Sequence, residues 1–158
     1  MPVIIIITGI NAPKQRCFDL ARSIDFHEHT SLVTKEKAIA GVTKGLINKG
    51  ETVTWKARHF GILQTLTSEI TKMEIPDMFE DCMVKGAFKK IQHLHTFEEK
   101  GGQTIMTDIF EFESPFGLLG KLFNKLILTN YMNDFLLRRN QEIKRVAECE
   151  DWKKYLGH

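Results

Sequence analysis

Most signatures that announce a chemistry are missing from this chain. Its three cysteines, Cys17, Cys82 and Cys149, stand far apart and form no CxxC pair. That spacing carries no zinc-ligand motif, and an odd number of thiols suits a reducing compartment better than a disulfide framework. No glycine-rich phosphate loop, G-x-S-x-G elbow or Cys–His nucleophile signature occurs. The formal net charge is only +2 at pH 7, with acids and bases interspersed. Nothing in that balance favours nucleic acid or an anionic membrane as a partner. No apolar run is long enough to span a bilayer. The start, "MPVIIIITGI", has no basic leading segment and reads as a buried strand, not a signal peptide. Linkers and repeats are missing too. The expectation is a cytoplasmic protein with no nucleic-acid partner and no stable membrane insertion, folded as one domain over residues 1–158.

Proline is also scarce, with four residues in all, and its placement is informative. Pro13 suits a first helical turn, after Asn11 as a candidate cap. The stretch behind it, with Cys17, Phe18, Leu20 and Ala21 as an apolar stripe, predicts a helix over about Pro13 to Ser23. "DFHEHTSLVT" is polar and reads as a short helical turn or loop. Pro76 with Asp77 marks a turn, and Ser114-Pro115 ends a strand.

Between Ala38 and Ser114 the pattern has period two. In "ETVTWKARHFG", Val53, Trp55, Ala57 and His59 point one way and Thr54, Lys56, Arg58 and Phe60 the other. "ILQTLTSEITKME", "MFEDCMVKG", "FKKIQHLHTFEE" and "QTIMTDIFEFES" continue as strands, with Gly101-Gly102 closing a hairpin. With Val3 to Ile10 and a strand near Lys37 to Val42, the count is seven, six of them in unbroken succession. Such a succession argues for an antiparallel sheet.

The period then changes. From Phe116 to about Glu148 apolar residues recur at helical spacing: Leu119, Leu122, Phe123, Leu126, Ile127, Tyr131, Met132, Phe135, Leu136, Ile143, Val146 and Ala147. No proline interrupts them. At ~1.5 Å per residue this helix is roughly 45–50 Å long and needs a sheet to lie on. Lys125, Asn133, Arg139, Glu142 and Arg145 form its expected solvent face. The fold class that satisfies every apolar face is α+β: a curved seven-stranded antiparallel sheet wrapped around a long C-terminal helix, with short helices after the first strand. Where the sheet curves more than the helix fills, an apolar cavity remains, and such cavities are the usual small-molecule sites.

Four stretches carry a resemblance: "INAPKQRCFDLARSIDFH", "GLINKGETVTWKARHFG", "MVKGAFKKIQHLHTF" and "GGQTIMTDIFEFESPFG". With this layout they resemble the helix-grip fold of the SRPBCC superfamily. That superfamily includes START lipid-transfer domains, birch-pollen-type allergens and polyketide cyclases/dehydratases. The nearest likeness is to its bacterial cyclase/dehydrase-like subgroup. The resemblance implies a ligand cavity and does not name a reaction. It also implies that "SIDFHEHT" lies near one cavity mouth, where His27 is either a gate or a solvated or capping residue.

Strand phase identifies polar residues on otherwise apolar faces. Gln64, Leu66, Ser68 and Ile70 share one face; so do Phe79, Asp81 and Met83; Ile91, His93, His95 and Phe97; and Met106, Asp108, Phe110 and Phe112. His59, Asp81, His93, His95 and Asp108 therefore look toward the helix. A buried charge is costly unless paired. Three uses stay open. The cluster can line a ligand cavity, satisfy itself within a filled core, or act as an acid–base site. The spacing of "GAFKKIQHLHTFEEKGG" differs from the cupin metal motif: six residues separate Gly86 from His93 where that motif has five, and no second motif follows. Two histidines on one strand face can still ligate a metal, with a third ligand from His59, Asp81 or Asp108. The expectation nevertheless carries neither metal nor cofactor.

The leading expectation is binding of a small, mainly hydrophobic molecule. Trp55, Met106, Phe110, Phe112, Leu126, Tyr131 and Phe135 are candidate walls. His59, Asp81, His93, His95 and Asp108 are candidate polar contacts. The alternative is a polyketide cyclase/dehydratase-like enzyme, with His59 or His93 as acid/base and Asp108 as orienter. A third reading is an interaction module whose interior is filled by side chains. The protein is expected to be a monomer or a homodimer. Cys17 and Cys82 read as small core residues.

Overall fold

Alternating apolar residues in the middle of the chain resolve into one curved antiparallel sheet. The computed structural model describes residues 1–31, 34–115 and 117–157. Along the chain run β1 (Val3–Ile10), α1 (Lys14–Ala21), α2 (Ile24–Thr30), β2 (Lys37–Gly41), β3 (Thr52–His59), β4 (Ile62–Glu74), β5 (Met78–Lys85), β6 (Lys90–Lys100) and β7 (Gln103–Glu113). A C-terminal helical segment follows: α3 (Gly117–Phe123), a π-helical stretch at Asn124–Leu128, and α4 (Thr129–Ala147). A 3-10 turn at Glu150–Trp152 and α5 (Lys153–Leu156) close it. The sheet order is β1-β7-β6-β5-β4-β3-β2 and every pairing is antiparallel. The order follows from consecutive hairpins, with β1 closing on β7.

Turn chemistry sets the hairpins. Gly101 and Gly102 take φ +60° and +80° between Lys100 and Gln103, which pair across the turn. Two central residues at positive φ match the right-handed twist of the flanking strands. The β3–β4 turn uses Phe60 and Gly61 at φ +52° and +74°. A phenylalanine there is strained by roughly 1–2 kcal/mol. Its ring lies on Tyr131 at 4.5 Å and near Phe123 at 6.0 Å between centroids.

Two expectations near the N-terminus change. Pro13, not Asn11, occupies the cap position of α1, and the Asn11 N–H instead donates to Glu148 Oε2 at 2.8 Å. The polar stretch behind α1 is a true helix, α2, whose Ser23 hydroxyl accepts from the Phe26 N–H at 3.2 Å. Cys17 is fully buried as expected, whereas Cys82 is half-buried and meets Thr71 Oγ1 at 3.6 Å.

The long terminal helix needs a larger correction. Phe116, its expected first residue, lies outside the described residues. From α4 onward Leu136, Ile143, Val146 and Ala147 are buried against the sheet. Before α4 only Leu128 of the large apolar residues described is buried: Leu119 is 77% exposed and Leu126 61%, and Leu122, Phe123 and Ile127 are exposed as well. A π-helical turn takes up an extra residue and rotates the apolar stripe off its track. The periodicity in that stretch therefore does not mark core.

Packing divides the interior. One apolar cluster joins Phe18, Leu20 and Phe26 to Phe79, Phe97, Met106, Ile143 and Val146. A second joins Ile4, Ile6, Ile91, Phe110, Phe112, Leu128 and Leu136. Between the members of these clusters, on four elements, lie polar residues: Asp81 after Phe79, His93 and His95 between Ile91 and Phe97, Asp108 between Met106 and Phe110, and Arg139 and Asn140 between Leu136 and Ile143.

Gly41 tests the backbone account. It sits at φ +72°, and a Cβ there would meet Thr52 O at 2.2 Å. Gly45, at φ +78°, has open space. In chemical denaturation Gly45→Ala is expected to cost about 1 kcal/mol, and Gly41→Ala roughly 2 kcal/mol more. Equal costs would contradict the packing at Gly41.

Candidate functional site

A cavity of about 550 Å³ lies between the concave face of the sheet and α4. Its apolar walls come from strand positions of one phase and from α4: Val53, Trp55, Ile70, Phe110, Phe135 and Leu136. Phe60, Ile62 and Phe123 also line it while being exposed, and so form its rim. Its polar lining falls into two groups.

The first group is the layer between the two apolar clusters. Asp81, His93 and His95 line the cavity, and Asp108 sits behind them, 1% exposed. Register brings them together, since His95 pairs with Asp108 across β6–β7 and Asp81 pairs with His93 across β5–β6. One Asp108 oxygen, Oδ1, faces His93 Nε2 at 2.8 Å and His95 Nδ1 at 3.1 Å. The other, Oδ2, accepts from Asn140 Nδ2 at 2.6 Å. His95 Nε2 in turn meets Asp81 Oδ2 at 3.0 Å. The imidazoles lie against each other, 3.7 Å between centroids, and Phe79 stacks on His95 at 4.1 Å. Arg139 is buried beside this layer; its NH2 donates to Ala21 O at 3.0 Å while its Nε has no hydrogen-bond partner among the described residues.

These contacts set the charges. Burial opposes ionisation of Asp108, but hydrogen bonds from His93 and His95 prevail and hold its carboxyl well below the usual carboxylate range. Burial likewise opposes Asp81, and the His95 hydrogen bond with the nearby histidine and Arg139 charges holds it low. For His93, burial and then the adjacent His95 push the pKa down against the pull of Asp108. For His95, burial is overcome by two carboxylates, and its pKa rises. On acidification a proton therefore goes to His95 before His93.

The second group stands around Trp55. His27 Nε2 meets Glu36 Oε2 at 2.5 Å, and the Ser31 hydroxyl donates to the same oxygen at 2.9 Å. His59 Nδ1 meets the Tyr131 hydroxyl at 2.7 Å, with Nε2 3.8 Å from Glu36 Oε1. The His27 ring lies on Trp55 at 4.2 Å. Burial disfavours the Glu36 carboxylate, yet the charge and hydrogen bond of His27 hold its pKa below normal. Burial pushes His59 down, against Glu36.

Of the residues expected at a site, Trp55, His59, Asp81, His93, His95, Phe110, Tyr131 and Phe135 line the cavity. Met106, Asp108 and Phe112 are buried behind its wall, and Leu126 is exposed outside it. Of the two acid/base candidates, His93 meets Asp108, whereas His59 lies in the other cluster and meets Tyr131. His27, expected as a gate or as a solvated or capping residue, is partly buried, lines the cavity and meets Glu36. Arg139, expected on the solvent face, is 8% exposed and lines the cavity. Sequence reasoning missed Glu36, Arg139 and Asn140. The one signal present was Asn140, a polar residue four after Leu136 and three before Ile143 on the apolar face.

Asp108 holds three donors in place, so Asp108→Ala strands buried polar groups and is expected to cost about 3–5 kcal/mol in chemical denaturation. The pH profile follows from the shifts. Asp108 and Asp81 bind protons less readily folded than unfolded, so their stabilisation is lost as pH falls below about 3.8. The raised His95 contributes below 6.5, and that contribution is lost as pH rises through its higher folded value. The lowered His93 works the other way, favouring the folded state above 6.5. The melting temperature should therefore rise from the acid side to a maximum near pH 6.5, where the lowered His93 and His59 are neutral in the folded state, and decline above it as His95 loses its proton. A melting temperature that goes on rising above pH 6.5 would contradict the raised His95.

No protein-family model matches the chain, and no curated protein matches it in sequence. Its likeness is to solved structures. A protein from Thermus thermophilus superposes with a TM-score of 0.71 at 15% identity, over 92% of this chain and 99% of that one. A START superfamily protein from Mycobacterium smegmatis gives 0.70 at 10% identity, over 91% and 98%. Major latex-like protein 151 from Panax ginseng gives 0.66 at 20% identity, over 92% and 97%. No described helix is long and apolar enough to cross a membrane. The seven-stranded sheet, the long terminal helix and these superpositions show that the chain has the helix-grip fold.

Proposed function

We propose that this protein binds a small, mainly hydrophobic molecule in the cavity between the sheet and α4. The observation that carries the reading is the cavity itself, about 550 Å³, with apolar walls and a polar floor. Small-molecule sites commonly enclose roughly 300–1,000 Å³ and combine apolar walls with a few placed polar groups. A ligand of roughly 20 heavy atoms at ~0.3–0.4 kcal/mol per atom binds in the micromolar range. The two polar clusters suit a molecule with a polar end near Asp81, His93 and His95, or a second polar group near His59 and Tyr131. The superposed START superfamily protein supports the reading at the level of fold.

The enzyme reading keeps one observation in its favour. His93 lines the cavity, is held neutral by burial, and has Nε2 engaged by Asp108. A cyclase or dehydratase would use the other nitrogen as base, with Asp108 as a positioning group. Turnover lost in His93→Gln while ligand binding persists would favour that reading over binding alone.

Nile red fluorescence provides the direct assay. The wild-type protein is expected to take up one equivalent with a blue-shifted emission. Ala57 is buried and lines the cavity, so Ala57→Phe should fill part of it. That variant is expected to weaken dye binding by roughly tenfold or more, about 1.4 kcal/mol, with an unchanged circular dichroism spectrum. Equal binding by both proteins would place the dye elsewhere and overturn the reading.

A further inference from the structure

The floor of the cavity has a geometry that apolar binding does not require. Asp81, His93 and His95 each offer one donor atom, and the three atoms lie within 4.8 Å of one another. Both imidazoles are tied by one nitrogen to the same carboxylate oxygen, Asp108 Oδ1. Of the other two ring nitrogens, His95 Nε2 meets Asp81 Oδ2, and Nδ1 of His93 is not engaged by Asp108. Histidines that hold metals are oriented in this way, with the far ring nitrogen on a carboxylate that fixes tautomer and angle. Asp108 is itself fixed by Asn140 at 2.6 Å.

We propose that Asp81, His93 and His95 form a site for a divalent first-row transition metal of the Zn²⁺ or Fe²⁺ class, with Asp108 and Asn140 orienting the two imidazoles. Two imidazoles and one carboxylate are a donor set suited to such ions, not to Ca²⁺ or Mg²⁺. The fit is close at one edge. His95 Nε2 and Asp81 Oδ2 are 3.0 Å apart. Donors around a tetrahedral centre with bonds of ~2.0–2.1 Å sit roughly 3.3 Å apart. An ion can replace the hydrogen between them with a shift of a few tenths of an ångström, and the His93 donor lies within 4.8 Å of both.

All three ligands line the cavity, so a further coordination position faces it. The charges narrow what fills that position. Asp81 and Asp108 balance a divalent ion, and Arg139, lining the same cavity, adds one positive charge. The matching group is an anionic or carbonyl oxygen at the end of an apolar molecule. This ligand class rests on the cavity-binding reading, whereas the ion site does not.

The linear sequence hides such a site. The ligands lie on β5 and β6, twelve and fourteen residues apart, and only strand pairing unites them. The departure of "GAFKKIQHLHTFEEKGG" from cupin spacing is therefore no argument against a metal here.

The test uses ions alone. Protein stripped by chelator and dialysed is titrated with Zn²⁺ by calorimetry and with Co²⁺ by visible absorption. One equivalent should bind, and bound Co²⁺ should show ligand-field bands. Asp81→Asn and His93→Gln should each abolish this binding. Asp108→Asn should weaken it by about 10–100-fold. His29→Gln, on α2 beside Glu142, should leave it unchanged. Circular dichroism without ion monitors folding, and if His93→Gln does not fold, Asp81→Asn decides. No one-equivalent binding, or binding unaltered by Asp81→Asn, overturns the proposal. Nile red uptake is measured on the same samples: retained uptake with no ion binding overturns the metal site alone, and loss of uptake in the wild-type protein overturns the cavity reading.

Discussion

The Asp108 carboxylate is the constraint on which the interior depends. It is 1% exposed on a strand whose neighbouring inward residues are Met106 and Phe110. A charge there cannot persist without partners. His93 and His95 from β6 and Asn140 from α4 supply them. Those three contacts fix the rotation of α4 about its axis and the phase of β6 against β7. Asp81, on the next strand, then finds His95 within reach.

A buried polar layer is a poor way to gain stability. Comparable buried pairs can be replaced by apolar residues with no loss, or a gain of about 1–4 kcal/mol. Here the layer separates two apolar clusters that could otherwise merge, and Asp81, His93, His95 and Arg139 open onto a cavity. Its position is therefore better explained by what meets the cavity than by folding. Phe60 points the same way: a strained residue at the rim, with its ring against Tyr131, which also holds His59.

Much of this was legible from sequence because a strand has a strict period of two. Once Phe97 and Ile91 face inward, His93 and His95 must follow, and Met106 carries Asp108 with it. The consecutive hairpins and the final helix gave the architecture in the same way. The helix period is less strict. The π-helical stretch moved Leu119, Leu122 and Leu126 off the core. Arg139, read as a solvated cation, proved buried, because a long aliphatic stem can lie among apolar neighbours while its head finds a backbone carbonyl. Glu36 lies between α2 and β2, where no periodicity exists, and only the folded chain brings it to His27 and His59. Coordination between strands was equally invisible, since spacing along one strand carries no information about the next.

The central claim is that the Asp81–His93–His95–Asp108 layer meets the polar end of a cavity-bound molecule. It is tested most directly by side-chain ¹⁵N NMR of the two imidazoles. Spectra are compared for protein loaded with dodecane and with dodecanoate. The account predicts that dodecanoate shifts the His93 and His95 ring nitrogens and that dodecane, bound in the same cavity, leaves them nearly unmoved. Dodecanoate uptake with both imidazoles unchanged would contradict it.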